Sequence, residues 1–246
     1  MKKVTYIAST LLAALAVGVQ AQSIISFNYD AYGTIPTTAT DFAGVVNAAY
    51  WNDSWTIDNN AGGGSSTYAN LLDNSGATTT LSLATATANG IYQIQNTDPG
   101  ANNARLLNGY INGGGANSTT FTLTGIPYLQ YDIYVYFGSD TAGRTGTVSD
   151  GTTTYDFSAM GSAALASGGT FVQTTDTGGS NPSADYAVFS SLSGSSKTIT
   201  ATIPAFGGLA GIQIVAVPEP ATLTLVGLGG LAMLVLVRRK SKSTSR

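Results

Sequence analysis

The sequence has no cysteine, no histidine and a single glutamate, Glu219. Without cysteine the fold has no disulfides, so its stability must come from burial and sheet hydrogen bonding. Without histidine there are no His-dependent metal sites, no Ser-His-Asp or Cys-His nucleophile systems and no ordinary pH switch near neutrality. Glycoside hydrolysis, which usually needs two carboxyls with one kept protonated, would have to use aspartates alone, and no spacing singles out a pair. A Ser-Lys arrangement would have to use Lys197, which sits in a polar Gly/Ser turn with no sign of desolvation. The expectation is a protein that is not an enzyme.

Charge is also scarce, at 9% of residues. Away from the chain ends, Arg105, Arg144 and Lys197 face twelve aspartates, a net charge of −9 that the cationic ends hide in a whole-chain value of −3. A nucleic-acid partner is excluded on this ground, because polyphosphate would be repelled. What is abundant is Thr, Ser, Asn and Gly, which implies a surface solvated by hydroxyls and amides rather than by ions.

The two ends have their own organisation. Met1-Lys2-Lys3 is a positive start, residues 4–19 are apolar and rich in Ala and Leu, and Val19-Gln20-Ala21 is a small-residue cleavage site. Residues 1–21 therefore read as a secretory signal peptide cut between Ala21 and Gln22. An uncleaved anchor is the alternative, but the apolar stretch is short for a span. At the other end stand Val217-Pro218-Glu219-Pro220, an apolar segment over 221–237, and Arg238-Arg239-Lys240 at the head of a basic tail over 238–246. At a helical rise of about 1.5 Å the apolar segment reaches roughly 26 Å, enough for a transmembrane helix through a thin hydrocarbon core. The cations act as a membrane stop held on the cytoplasmic side, which places the bulk of the chain across the membrane. Pro218 and Pro220 fix their own φ and push Val217 and Glu219 toward extended conformations, so the motif stands outside the helix as a rigid strip.

Hydropathy alone fits an ordinary single-pass anchor equally well. The literal Pro-Glu-Pro ahead of the span and its basic stop closely resembles the PEP-CTERM sorting signal of exported proteins of Gram-negative bacteria. The resemblance covers residues 217–246 and implies processing by a membrane-embedded exosortase.

Between the ends, residues 22–216 suit one domain with a real core. Short β-branched and aromatic runs alternate with Gly, Asn, Asp and Ser clusters. The predicted strands are 24–29, 78–83, 91–95, 119–123, 131–137, 145–149, 153–157, 171–175, 186–190, 198–203 and 211–217, and no stretch keeps a helical period. The expected fold is all-β, a two-layer jelly-roll-like β-sandwich. Asp150-Gly151 predicts a two-residue type I′ hairpin, and the Gly-triplet segments 59–67 and 112–119 read as long loops. In 131–137, alternation puts Tyr131, Ile133, Val135 and Phe137 on a core face and Asp132, Tyr134 and Tyr136 on the other. Two neighbouring tyrosines beside an aspartate are a candidate glycan-binding surface; the alternative is that they cover the sheet beneath a loop. Ala49-Tyr50-Trp51-Asn52, Phe137-Gly138-Ser139 after the Tyr-rich strand, and Gly211-Ile212-Gln213-Ile214-Val215 resemble jelly-roll, galactose-binding-like sandwiches of bacterial surface proteins, which implies an architecture and no ligand residue.

Other motifs carry less. Gly227-Leu228-Gly229-Gly230-Leu231-Ala232 has the letters of a dinucleotide fingerprint but lies inside the span, where small residues explain it. Asp58, Asp140, Asp150 and Asp156 in or near Gly/Asn-rich loops are candidates for structural calcium, with turn capping as the alternative; otherwise no cofactor or metal is expected. Asn52-Asp53-Ser54 and Asn117-Ser118-Thr119 are sequons by letter only. The expected protein is exported, briefly anchored in the inner membrane, then placed in the cell envelope or outside the cell with a structural or interaction role. Its partners would be the export machinery, signal peptidase, an exosortase-type enzyme and the membrane, and the alternative role is binding of envelope or matrix polysaccharide.

Overall fold

Alternating apolar and hydroxyl side chains dominate the computed structural model, which describes residues 22–29, 35, 38–53, 63–115 and 117–218. Ala21, Glu219, Pro220, the segment 221–237, Arg238, Arg239 and Lys240 lie outside the described residues, as does Asp58. Ser23–Val217 form one compact unit. Along the described chain the strands are β1 (Ile24–Asn28), β2 (Asn52–Asp53), β3 (Gly64–Tyr68), β4 (Ser82–Thr87) and β5 (Ile91–Gln93), then, after a helix α1 (Asn102–Asn108), β6 (Gly109–Ile111), β7 (Ser118–Thr124), β8 (Gln130–Gly138), β9 (Thr145–Ser149) and β10 (Thr154–Ala159). A 3₁₀ segment (Gly161–Gly168) precedes β11 (Ser183–Ala184), β12 (Tyr186–Ser193), β13 (Ser196–Thr202) and β14 (Gly208–Ala216).

The strands form a five-stranded sheet in the order β12-β8-β14-β1-β2, a seven-stranded sheet in the order β11-β10-β9-β13-β7-β4-β3, and the small pair β5-β6. Period-2 alternation sends Phe121 and Leu123, Val148, Phe157, Ile199 and Ala201 of the larger sheet inward. They meet Ile25 and Phe27, Ile133, Val135 and Phe137, and Ile212 and Ile214 of the smaller sheet in one buried cluster. Phe137 stacks on Phe157 with centroids 3.8 Å apart, and Phe27 meets Phe121 edge-on at 6.3 Å. Each such side chain contributes roughly 1.5–3 kcal/mol by leaving water. This is the expected β-sandwich.

The outward face of the larger sheet is made of hydroxyls. Thr198 lies opposite Thr122, Thr200 opposite Thr120 and Ser149, and Thr202 opposite Ser118 and Thr147. Across the outward positions of β7, β9, β10 and β13 the one charged side chain is Asp156.

The other face of the smaller sheet is not open. It carries Asp132, Tyr134 and Tyr136 of β8 beside Gln213 of β14 and Ser26 of β1, and residues 35 and 38–51, α1 and the 3₁₀ segment lie over it. Ile35, Trp51, Leu106, Leu107, Tyr110, Tyr136, Ala164 and Ala210 form a second buried cluster there. A third layer is thus added to the expected two. Its polar staple is Gln213, 0% exposed. Gln213 Nε2 donates to Val46 O (2.7 Å) and to Ser26 Oγ (3.2 Å), and Oε1 accepts from Tyr136 Oη (2.6 Å) and Val46 N (3.3 Å). Tyr136 Oη in turn accepts from Val45 N at 2.8 Å.

Several local expectations change. Residues 171–175 form no strand beyond an isolated bridge from Gln173 to Tyr186, because their hydrogen bonds go to the start of β12. The strand expected at 78–83 runs instead over Ser82–Thr87. Residues 64–67, expected in a loop, belong to β3, where Gly, Ser and Thr give no apolar alternation. The seven-residue α1 buries Ala104, Leu106 and Leu107 but is too short to display a period. The β9–β10 connection is four residues, since Ser149 pairs with Thr154. Asp150 takes no positive φ, only Gly151 does; the Asp150 carboxylate holds the turn by accepting from Thr152 N and Thr153 N.

Gln213→Leu should destabilise the domain by about 2–4 kcal/mol, because it leaves the buried Tyr136 hydroxyl proton without an acceptor and the Val46 carbonyl without its donor. Gly44→Ala should also destabilise: Gly44 has φ +92° and an added Cβ would stand 2.4 Å from Gln213 Oε1. Urea denaturation against Thr198→Ser, expected within about 0.5 kcal/mol of the parent, checks both.

Candidate functional site

The Tyr-rich face of β8 is where sequence alternation places a sugar platform. Tyr136 is fully buried there, packed against Trp51, Phe171 and Tyr186, and burial pushes its hydroxyl above the ordinary phenol range. Asp132 accepts from Ser191 N at 2.7 Å, capping the irregularity in β12. Tyr134 is half-buried against Ile24, Ala48 and Val215. These three residues share a sheet face, on which Asp132 and Tyr134 are partly exposed, but Tyr136 has no ring face free for a sugar. The cap over Tyr136 is built from residues 35 and 38–51 and from α1, which have little strand or helix signature.

The loop aspartates are dispersed among different tasks. Asp140 pairs with Arg144, Asp150 pairs with Lys197 at 3.1 Å while capping its turn, and Asp156 accepts from Gly179 N. No group of three or more acidic side chains placed to hold a metal ion occurs among the described residues.

Two buried polar groups are less well satisfied. Both amide atoms of Asn28 are buried without a hydrogen bond, and so is Asp185 Oδ2. Asp185 Oδ1 accepts from Val172 N at 2.9 Å. Burial of this carboxyl outweighs that bond and raises its pKa from 3.8 to about 7. On the surface, by contrast, the Arg105 side chain holds Asp98 down to about 2.

One exposed cluster joins aromatic rings to charged groups, and the sequence did not single it out. The β5–β6 pair sets Tyr92, 47% exposed, against the buried Tyr110, centroids 6.1 Å apart. Tyr110 Oη accepts from Asp140 N (3.0 Å), in the loop that follows β8. Asp140 is ion-paired with Arg144, whose Nη1 also donates to Ser139 Oγ (3.0 Å) and Phe206 O (2.9 Å). The guanidinium carbon lies 5.5 Å from the centroid of Phe206, itself 47% exposed. Three loops from distant parts of the chain thus converge at one end of the sandwich. Tyr92 stands in a three-residue strand and Phe206 in an Ala-Phe-Gly-Gly turn, so neither belongs to a pattern that sequence reading can connect.

The C-terminal segment has a counterpart among known families. Residues 216–240 match the PEP-CTERM protein-sorting motif. The chain carries a PEP-CTERM sorting signal. The matched segment takes in Pro218, Glu219 and Pro220, the apolar residues 221–237 and the basic Arg238, Arg239 and Lys240. A PEP-CTERM signal marks an exported protein sorted through exosortase by way of a membrane-anchored tail. Gln22, the first residue after the expected leader cut at Ala21, is exposed, and among the described residues no helix is long and apolar enough to cross a membrane. No curated protein matches the chain.

Asp185 has a thermodynamic consequence. Between about pH 4 and pH 7 the folded domain keeps a proton on this carboxyl that the unfolded chain has released, so stability falls as pH rises through that window. The expected loss is on the order of 1–4 kcal/mol by about pH 8, and Asp185→Asn should abolish it and raise the thermal midpoint at pH 8. An unchanged pH slope in the variant, followed by calorimetry, would show that Asp185 is not the group responsible.

Proposed function

We propose that this protein is a non-catalytic component of the cell envelope or extracellular matrix, whose β-sandwich serves a structural or interaction role after exosortase sorting. One observation supports the reading best: across β7, β9, β10 and β13 the outward face of the seven-stranded sheet is built from Thr and Ser with a single carboxylate. Such a face hydrates through neutral hydroxyls and offers no acid–base or nucleophilic constellation. The reading includes a leader cut between Ala21 and Gln22, transient anchoring through residues 221–237, and release of the tail. Contact with envelope or matrix polysaccharide is the second reading, favoured by the half-exposed rings of Tyr92 and Phe206.

Mass spectrometry of the protein recovered from its final location should find an N-terminus at Gln22 and no residues from Ala221 onward. A product that still carries Ala221 to Arg246 would be a plain membrane anchor and would overturn the processing step. The reading needs no cofactor, so excess chelator should leave the thermal midpoint unchanged; a drop of several degrees would reveal structural calcium.

A further inference from the structure

Four large apolar side chains stand exposed among the described residues: Phe42, Tyr92, Leu129 and Phe206. Tyr92 and Phe206 differ from the other two because a continuous chain of contacts, Tyr110, Asp140 and Arg144, links them. The polar link is only partly used. The hydrogen bonds of the Arg144 side chain all leave from Nη1, so among the described residues Nη2 and Nε have no partner. The side-chain bonds to Asp140 all reach Oδ1, so Oδ2 is likewise open. Both side chains are solvent-accessible, at 23% for Arg144 and 30% for Asp140.

We infer that Tyr92, Asp140, Arg144 and Phe206 form a binding site for successive neutral hexose units of an extracellular polysaccharide, the two rings standing at the two ends of the contact chain, an assignment that rests on the polysaccharide reading given above. The chemistry is complementary in three respects. Exposed ring faces attract the C–H face of a pyranose, which is apolar. A vicinal diol can donate one hydroxyl proton to Asp140 Oδ2 while another hydroxyl oxygen accepts from Arg144 Nη2 or Nε, and bonds to charged groups are the stronger kind. The ion pair fixes both groups in advance, since the carboxylate and Phe206 O hold the guanidinium in place, so little ordering accompanies binding. Charge selects against acidic sugars: the pair is neutral as a unit, and the surrounding domain carries a net −9.

The test uses the full-length chain in detergent, bound to immobilised neutral polysaccharides (α-glucan, β-glucan, galactan, mannan) and to the polyanions alginate and hyaluronan. The expected result is binding to at least one neutral polymer that changes little between low and moderate salt. Tyr92→Ala and Phe206→Ala should each weaken it at least tenfold, and Arg144→Gln likewise, with thermal midpoints close to that of the parent. Phe42→Ala, which removes an exposed ring outside the cluster, should leave binding intact. Where an alanine variant unfolds, Tyr92→Leu and Phe206→Leu, which keep apolar bulk but lose the π face, decide the question by the same loss. The inference is overturned if no neutral polymer binds, if only the polyanions bind, or if folded ring variants bind as the parent does. That failure would leave export and tail removal standing, because the mass of the mature protein tests those separately.

Discussion

A chain without disulfides must hold its fold by burial, and here one sheet is buried on both faces. The five-stranded sheet supplies Ile133, Val135, Phe137, Ile212 and Ile214 to the core between the sheets, and Tyr136, Ala210 and Gln213 to the layer beneath the cap. Its strands can be near-continuously apolar for that reason, as in β14, where every residue from Gly208 to Val215 is buried. Because the cap is irregular backbone rather than a third sheet, it needs side-chain partners for its own polar groups. Gln213 supplies them from a position fully removed from water, and the close approach it requires explains why residue 44 is glycine.

The two outer surfaces consequently differ. On the cap side Tyr136 and Gln213 are sealed from water and Tyr134 is half-buried. On the opposite side the seven-stranded sheet exposes rows of hydroxyls that pair across strands, as Ser118 with Thr202 at 2.7 Å and Thr122 with Thr198 at 3.4 Å. Two exposed rings and one ion pair are linked elsewhere, at the end where the β5–β6 pair and the loops after β8 and β13 converge. With so few ions, the outer surface of the larger sheet is hydrated mainly through hydroxyls.

How much of this the sequence showed depended on the length and regularity of each pattern. Strands with several alternations, such as β7, β8, β9 and β13, are legible because period 2 is repeated over five or more residues. Residues 64–68 are a strand held by pairing with β4, although Gly-Ser-Ser-Thr has no apolar partner for alternation to reveal. The helix at 102–108 is less than two turns and exists because Leu106 and Leu107 fill the space above Ala210 and Tyr136. In β8 alternation correctly separated two faces. It could not say that the second face is buried too, since a tyrosine suits either a wet surface or a capped sheet.

The sequence by itself determined the all-β class, the inward face of each long strand, the exclusion of histidine and cysteine chemistry, and the address at residues 216–240. These are properties of local period, composition and contiguous motif. Tertiary structure alone decided that Tyr136 is sealed, that Asp185 is buried with one oxygen unpaired among the described residues, and that Tyr92, Tyr110, Asp140, Arg144 and Phe206 are linked in one chain of contacts. Those facts depend on which distant segments pack together, and burial is set by neighbours that may lie a hundred residues away in the chain.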